Sequence, residues 1–250
     1  MNTVVRVPSE IINNVNLGEK RIIFYLFLAF RRSMANEIVF NTSEAVTACG
    51  YKPNSCKGKI NEEFKTFVSS LVDLGYLNEQ KVSMHFSKYE PARKFWDKPF
   101  VLVSYDEFVK IVQSGKIRIH SSLLLCHVRL YRHKRLKPND NAPEIYFQHY
   151  SKIAERYNLP SRAISLAAYS LSNLDIMYSV ESDCRKDKFG RFHAGQTVFV
   201  DRQKYLVDGS VDITYNWEQE MESALEYVGK RSLRFYMPDK KEFVGGDQVK

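Results

Sequence analysis

Apolar residues are densest early in the chain, in Ile22–Phe30 (IIFYLFLAF), which is bounded by Lys20-Arg21 and Arg31-Arg32. Nine residues are about half of what a bilayer requires, so the block predicts a buried helix from about Leu17 to Ser33, with no membrane role. Asn16 is placed to cap it, and Glu19 to complete a capping box. Ile38–Phe40 reads as a short strand. Thr42 or Ser43 then caps a brief helix through Ala45, Val46 and Ala48 that ends at Gly50, and Lys52-Pro53-Asn54-Ser55 has turn chemistry. Ile60, Phe64, Phe67, Val68, Leu71 and Leu74 recur at helical spacing, with the leucine pair facing the core, and Gly75 stops the run. Tyr76–Leu77 and Val82–Phe86 follow as two strands across a polar turn. Short helix, turn, longer helix and hairpin is the order of a winged helix-turn-helix.

The order recurs. Ser104 caps a helix through Phe108, Ile111 and Val112, and Ser121 or Ser122 opens another carrying Leu123–Leu125, Val128 and Leu130. Ile145–Phe147 is extended, Tyr150–Tyr157 is a brief helix, and Asn158-Leu159-Pro160 turns into Ser161, a helix cap. Ile164, Ala168, Leu171 and Leu174 mark the core face of the next helix, and Ile176–Val180 and Thr197–Val200 read as strands. Leu71-Val72-Asp73-Leu74-Gly75-Tyr76-Leu77 matches Leu171-Ser172-Asn173-Leu174-Asp175-Ile176-Met177 at an offset of one hundred residues. The predicted fold is α+β, predominantly helical, with two tandem winged helix-turn-helix domains at 1–90 and 100–230. The linker lies at 91–99, inside the proline- and charge-rich Lys88–Pro99. Val211–Val228 predicts an acidic helix, with Trp217, Met221, Leu225 and Val228 packing onto the second domain, and 231–250 a flexible tail.

Charge adds a partner class. Lys+Arg 37 against Asp+Glu 29 leaves +8 in 250 residues, an excess that suits a polyanion, here double-stranded DNA. On the first long helix and its turn the candidate contacts are Lys52, Asn54, Ser55, Lys57, Lys59, Asn61 and Lys65. Lysines suit phosphates and asparagine can pair with adenine, while Glu62 and Glu63 weigh against a simple basic face. On the second they are Ser161, Arg162, Ser165 and Tyr169, with Arg162 placed to read guanine. Arg132, Lys134 and Arg135 belong to an acid-free basic run between Phe108 and Asn139. Arg185, Lys186, Lys188 and Arg191 line a glycine-containing loop predicted to be the second wing, suited to the phosphate backbone or a minor groove.

Val7-Pro8 through Val15, Leu17, Glu19-Lys20-Arg21, Ile22 and Leu26 resemble the opening of plasmid replication initiator proteins with tandem winged helices. Ile153-Ala154-Glu155 and Leu159-Pro160-Ser161-Arg162-Ala163-Ile164 are similar to a later stretch of that family. The resemblance covers about Val4 to Val200. It implies that the second domain reads the major groove of repeated origin sequences, while the first dimerises or binds further DNA. A homodimer and a replicative helicase or primosome component are the protein partners it implies.

Catalytic motifs are missing from the sequence. Gly58-Lys59 lacks the first glycine and the hydroxyl residue of a phosphate-binding loop, no Gly-x-Ser-x-Gly elbow occurs, and the six histidines form no ligand pair. Cys49, Cys56, Cys126 and Cys184 have neither metal-ligand nor disulfide-framework spacing, which predicts a reduced, cytoplasmic protein without metal or cofactor. The expectation is a non-enzymatic, sequence-specific DNA-binding protein that initiates replication of a plasmid or other mobile element. A transcriptional regulator or phage replisome organiser using the same surfaces is the alternative, and a protein-interaction scaffold the alternative of a different class.

Overall fold

The computed structural model describes residues 4–53, 59–82, 86–91, 99–132, 145–181, 185–186, 192–193, 197–206, 208–227, 235–237 and 242–244. The chain is mixed α+β with small antiparallel sheets, and it divides into two compact units, Met1–Cys126 and His127–Lys250.

The first unit runs β1 (Val4–Pro8), α1 (Ser9–Asn13), α2 (Arg21–Arg31), β2 (Ile38–Phe40), α3 (Thr42–Ala48), α4 (Lys59–Asp73), β3 (Leu77–Val82), β4 (Ser87–Pro91), β5 (Phe100–Ser104) and α5 (Tyr105–Gln113). From α2 every residue from Arg21 to Phe30 except Ala29 is buried, as its composition dictates. Phe24, Phe27, Phe40 and Phe64 meet edge to face at centroid distances of 5.0–6.1 Å. No helix among the described residues is long and apolar enough to cross a membrane. The helix starts later than the sequence suggests. Gly18 at φ 85° breaks the chain after a 3-10 turn at Val15–Leu17, Asn14 rather than Asn16 caps that turn, and the Glu19 capping box does not form. Arg21 is buried instead, donating to the carbonyls of Ile11, Ile12 and Gly18.

Strands β2, β4 and β3 form one sheet in that spatial order. β3 runs on from Leu77 through Val82, and β4 begins at Ser87, after the expected second strand Val82–Phe86, so the expected linker at 91–99 starts on the last residue of β4. β1 pairs antiparallel with β5 from Val4↔Ser104 to Pro8↔Phe100, which places β5 and α5 in the first unit and not, as the sequence suggests, in the second. The Ser104 capping box does form: its hydroxyl accepts from the Glu107 amide and its own amide donates to the Glu107 carboxylate.

α6 (Arg118–Tyr131) carries the chain from the first unit into the second. It starts three residues before Ser121, so Ser121 and Ser122 are buried inside the helix and do not cap it. Next come β6 (Tyr146–Phe147), α7 (Tyr150–Arg156), α8 (Ser161–Asn173), β7 (Met177–Glu181), β8 (Arg185–Lys186), β9 (Phe192–His193), β10 (Thr197–Asp201), α9 (Trp217–Tyr227), β11 (Phe235–Met237) and β12 (Glu242–Val244). The sheet order is β6-β10-β7. β10 (TVFVD) is buried along its whole length, because α9 seats Met221 and Ala224 against Val180, Val198 and Val200. α9 starts at Trp217, and Trp217 and Met221 pack on this core as the apolar spacing predicts. In the expected tail, β11 pairs with β12 and lies against β7.

Both units therefore follow helix, strand, helix, helix, strand, strand, with the last strand between the other two. Their backbones agree in detail. Asn41 and His149, 108 residues apart, each cap the short helix by accepting from the amide two residues on. In the first unit Asn41 thus takes the capping place expected of Thr42 or Ser43. That helix ends at left-handed Gly50 in one unit and Asn158 in the other, followed by Tyr51 N–H to Val46 O and Leu159 N–H to Ala154 O. The long helices end the same way one hundred residues apart, at Gly75 and Asp175, with Tyr76 N–H to Leu71 O and Ile176 N–H to Leu171 O.

Candidate nucleic-acid interface

In each unit the long helix turns one face inward and leaves the other to solvent. α8 buries Ile164, Ala167, Ala168 and Leu171 completely. Its outer stripe, at helical spacing, is Arg162, Ser165, Leu166, Tyr169 and Asn173. Arg162 and Asn173 are exposed, Ser165 is half-buried, and Leu166 and Tyr169 are 47% and 62% exposed. No acidic residue occurs between Pro160 and Asn173. Ser161 is the first helical residue, not the cap; Pro160 occupies that position and no side chain satisfies the leading amides. Those amides and the helix dipole leave a positive end suited to a phosphate.

α4 buries Phe64, Phe67, Val68 and Leu71. Leu74 is half exposed, so only the first leucine of that pair faces the core. Its outer stripe is Glu62, Lys65, Thr66, Ser69 and Asp73, all exposed. Lys65 pairs with Glu62 at 2.8 Å, and Lys20 of the neighbouring helix with Glu63 at 2.6 Å. Lys52 and Lys59 are exposed. Asn61 is half-buried, its Oδ1 shielded and without a hydrogen-bond partner, at the wall of a 510 Å³ groove between α4, Phe40, Phe86 and Tyr89.

Several of the basic residues read as surface charge are committed internally. Arg129 and Arg132 clamp the buried Asp201 at 3.0 and 2.7 Å, with Arg132 13% exposed, which ties α6 to the end of β10 and takes Arg132 out of the candidate interface. Arg118 is buried with its guanidinium 4.0 Å from the Tyr51 ring centroid, and Lys110 pairs with Asp106. For Arg118, Arg129 and Arg132 the spacing of the basic run gave no hint of this, because their partners lie 67 to 72 residues away, whereas Asp106 stands four residues before Lys110. Between β7 and β10 the backbone forms a ribbon in which Arg185 opposes His193 and Lys186 opposes Phe192. Asn54, Ser55, Lys57, Lys134, Arg135, Lys188 and Arg191 lie outside the described residues.

Sequence reasoning passed over Leu166. The available signal is its register: it follows Ile164 by two residues, which puts an apolar side chain on the polar face. Among the described residues no group of three or more His, Cys, Asp or Glu could hold a metal ion. The chain matches no protein-family model and no curated protein at significant similarity.

Proposed function

We propose that this is a sequence-specific double-stranded DNA-binding protein built from two winged helix-turn-helix units, acting without catalysis as a replication initiator of a mobile element. What supports the reading most is the outer face of α8. It is an acid-free stripe headed by Arg162 and an open helix N-terminus, on the helix that a winged helix places in the major groove. A merely solvated face has no need to exclude carboxylates over fourteen consecutive residues, Pro160–Asn173. Phosphate contacts from the helix end and the β8–β9 ribbon set the register, and base contacts from α8 supply the sequence preference. α4, whose carboxylates lie along the same stripe, contributes less.

The test is a selection of bound fragments from random DNA, followed by salt titration on the best fragment. Affinity should fall with about 0.9 log units per phosphate contact for each tenfold rise in salt. Arg162→Ala should cost about 1–3 kcal/mol and relax one base position, while Glu62→Ala leaves affinity unchanged or stronger. Salt-independent binding, or no enriched sequence, would sink the proposal. Direct repeats beside AT-rich DNA in the enriched sites mark an initiator, and a palindrome marks a transcriptional regulator.

A further inference from the structure

We propose that Leu166 and Tyr169 form an apolar reading patch on α8 that packs against thymine methyl groups in the major groove, so that the target carries thymine beside the base read by Arg162. The inference rests on the DNA-binding reading above and names what that surface recognises.

Arg162, Leu166 and Tyr169 stand at i, i+4 and i+7, a single stripe running from the N-terminal turn to the middle of the helix. Both apolar side chains project into solvent although Ile164, Ala167, Ala168 and Leu171 already fill the core, so the patch is not needed for packing. The rim around it is Arg162, Ser165 and Asn173. A groove lined by phosphates admits that combination. In the major groove the base pairs present hydrogen-bonding edges and one apolar group, the C5-methyl of thymine, and an aliphatic or aromatic side chain is its complement. Leucine lies within reach of one methyl, and the flat tyrosine ring can cover another while its hydroxyl stays wet. The corresponding positions of α4 are Thr66 and Ser69, both exposed and neither offering comparable apolar surface, so the repeated scaffold does not itself require the patch.

The experiment replaces each thymine of the selected site, one at a time, by deoxyuridine, which removes only the methyl. Binding of the full chain is measured by fluorescence anisotropy. At one or two thymines affinity should drop about three- to fivefold, the effect of withdrawing one methyl from burial. Leu166→Ala or Tyr169→Ala should abolish that discrimination, binding the thymine and uracil duplexes alike, with unchanged circular dichroism showing the fold intact. Specific DNA binding that is indifferent to every uracil overturns the methyl patch and leaves the DNA-binding reading standing. Absence of specific DNA binding overturns both. If the two variants instead lower the sedimenting mass of the free protein and leave uracil discrimination intact, the patch is a self-association surface and the proposal fails.

Discussion

At positions one hundred residues apart, α4 presents Glu62, Lys65, Thr66, Ser69 and Asp73 where α8 presents Arg162, Ser165, Leu166, Tyr169 and Asn173. Beneath these stripes the backbones close their helices with the same hydrogen bonds on the same left-handed residue. The frame is thus set by a few caps, left-handed positions and buried leucines, and the outer stripe is free to vary without disturbing it. The sheets diverge as well. β4 buries only Tyr89, with Val39 of the adjoining strand 40% exposed, whereas β10 is buried throughout beneath α9. A strand without alternation needs cover on both faces, and the second unit supplies it from its own C-terminal extension. Trp217 completes that cover by stacking on Tyr178, with Arg202 over its ring.

The units also differ in how charge is held, and the largest expected effect tests this. In the second unit one buried carboxylate, Asp201, neutralises two guanidiniums, while the first relies on half-exposed pairs such as Lys20–Glu63. Asp201→Ala removes the buried carboxylate that two guanidiniums, Arg129 and Arg132, share, which should cost about 3–5 kcal/mol. Glu63→Ala should cost under about 1 kcal/mol. Urea unfolding followed by circular dichroism separates the two, and equal losses would erase the distinction.

The next difference is one of pH. His127 is buried between Tyr157 and Tyr146, with 2.8 Å contacts from each ring nitrogen. Because Tyr146 donates its proton to Gln148, Nε2–H must donate to Tyr146 and Nδ1 must accept from Tyr157. Burial first, then the nearby Arg156 charge, push its pKa down to about 3. An unfolded histidine takes up its proton near pH 6.5, so between about 6.5 and 3 the unfolded chain binds more protons than the folded one. Stability is therefore fully present above pH 7 and falls as pH drops, by up to roughly 1.4 kcal/mol per pH unit. His120 of the first unit is lowered in the same direction by burial but is only half-buried, so its contribution is shallower. His127→Gln should flatten the acid limb of a stability–pH curve; an unchanged slope would remove His127 as its cause.

Legibility in the sequence followed the range of each interaction. Gly50, Gly75 and the Ser104 capping box announce local geometry, and helix ends were readable there. Asn158 and Asp175 adopt the same left-handed conformation without the glycine that signals it, and only the offset with Gly75 exposed the second. The β1–β5 pairing joins residues 92 to 100 apart, and nothing in VVRVP names its partner. Arg132 looked like a surface cation because its carboxylate lies 69 residues ahead. On the candidate interface, Arg162 and Tyr169 followed from polar spacing, whereas Leu166 was passed over because apolar residues are first assigned to the core.

The smallest expected effect bears on the frame itself. Gly75 sits at φ 70° and Asp175 at φ 55°, each ending a long helix with the same bonds back to its last turn. If this conformation is what the two units share, Gly75→Ala must force a Cβ into it and should cost about 1 kcal/mol. At the second position the opposite change relieves the backbone but removes two contacts, since the Asp175 carboxylate accepts from the Tyr178 hydroxyl and pairs with Arg202 at 3.3 Å. Asp175→Gly should therefore stay within roughly 0.5 kcal/mol of the parent, the backbone gain offsetting the lost side-chain contacts. Denaturant midpoints for the two single variants decide it. A neutral Gly75→Ala would mean that the first helix can end without the left-handed turn, and the agreement between the two helix ends would then reflect sequence spacing and not a shared backbone requirement.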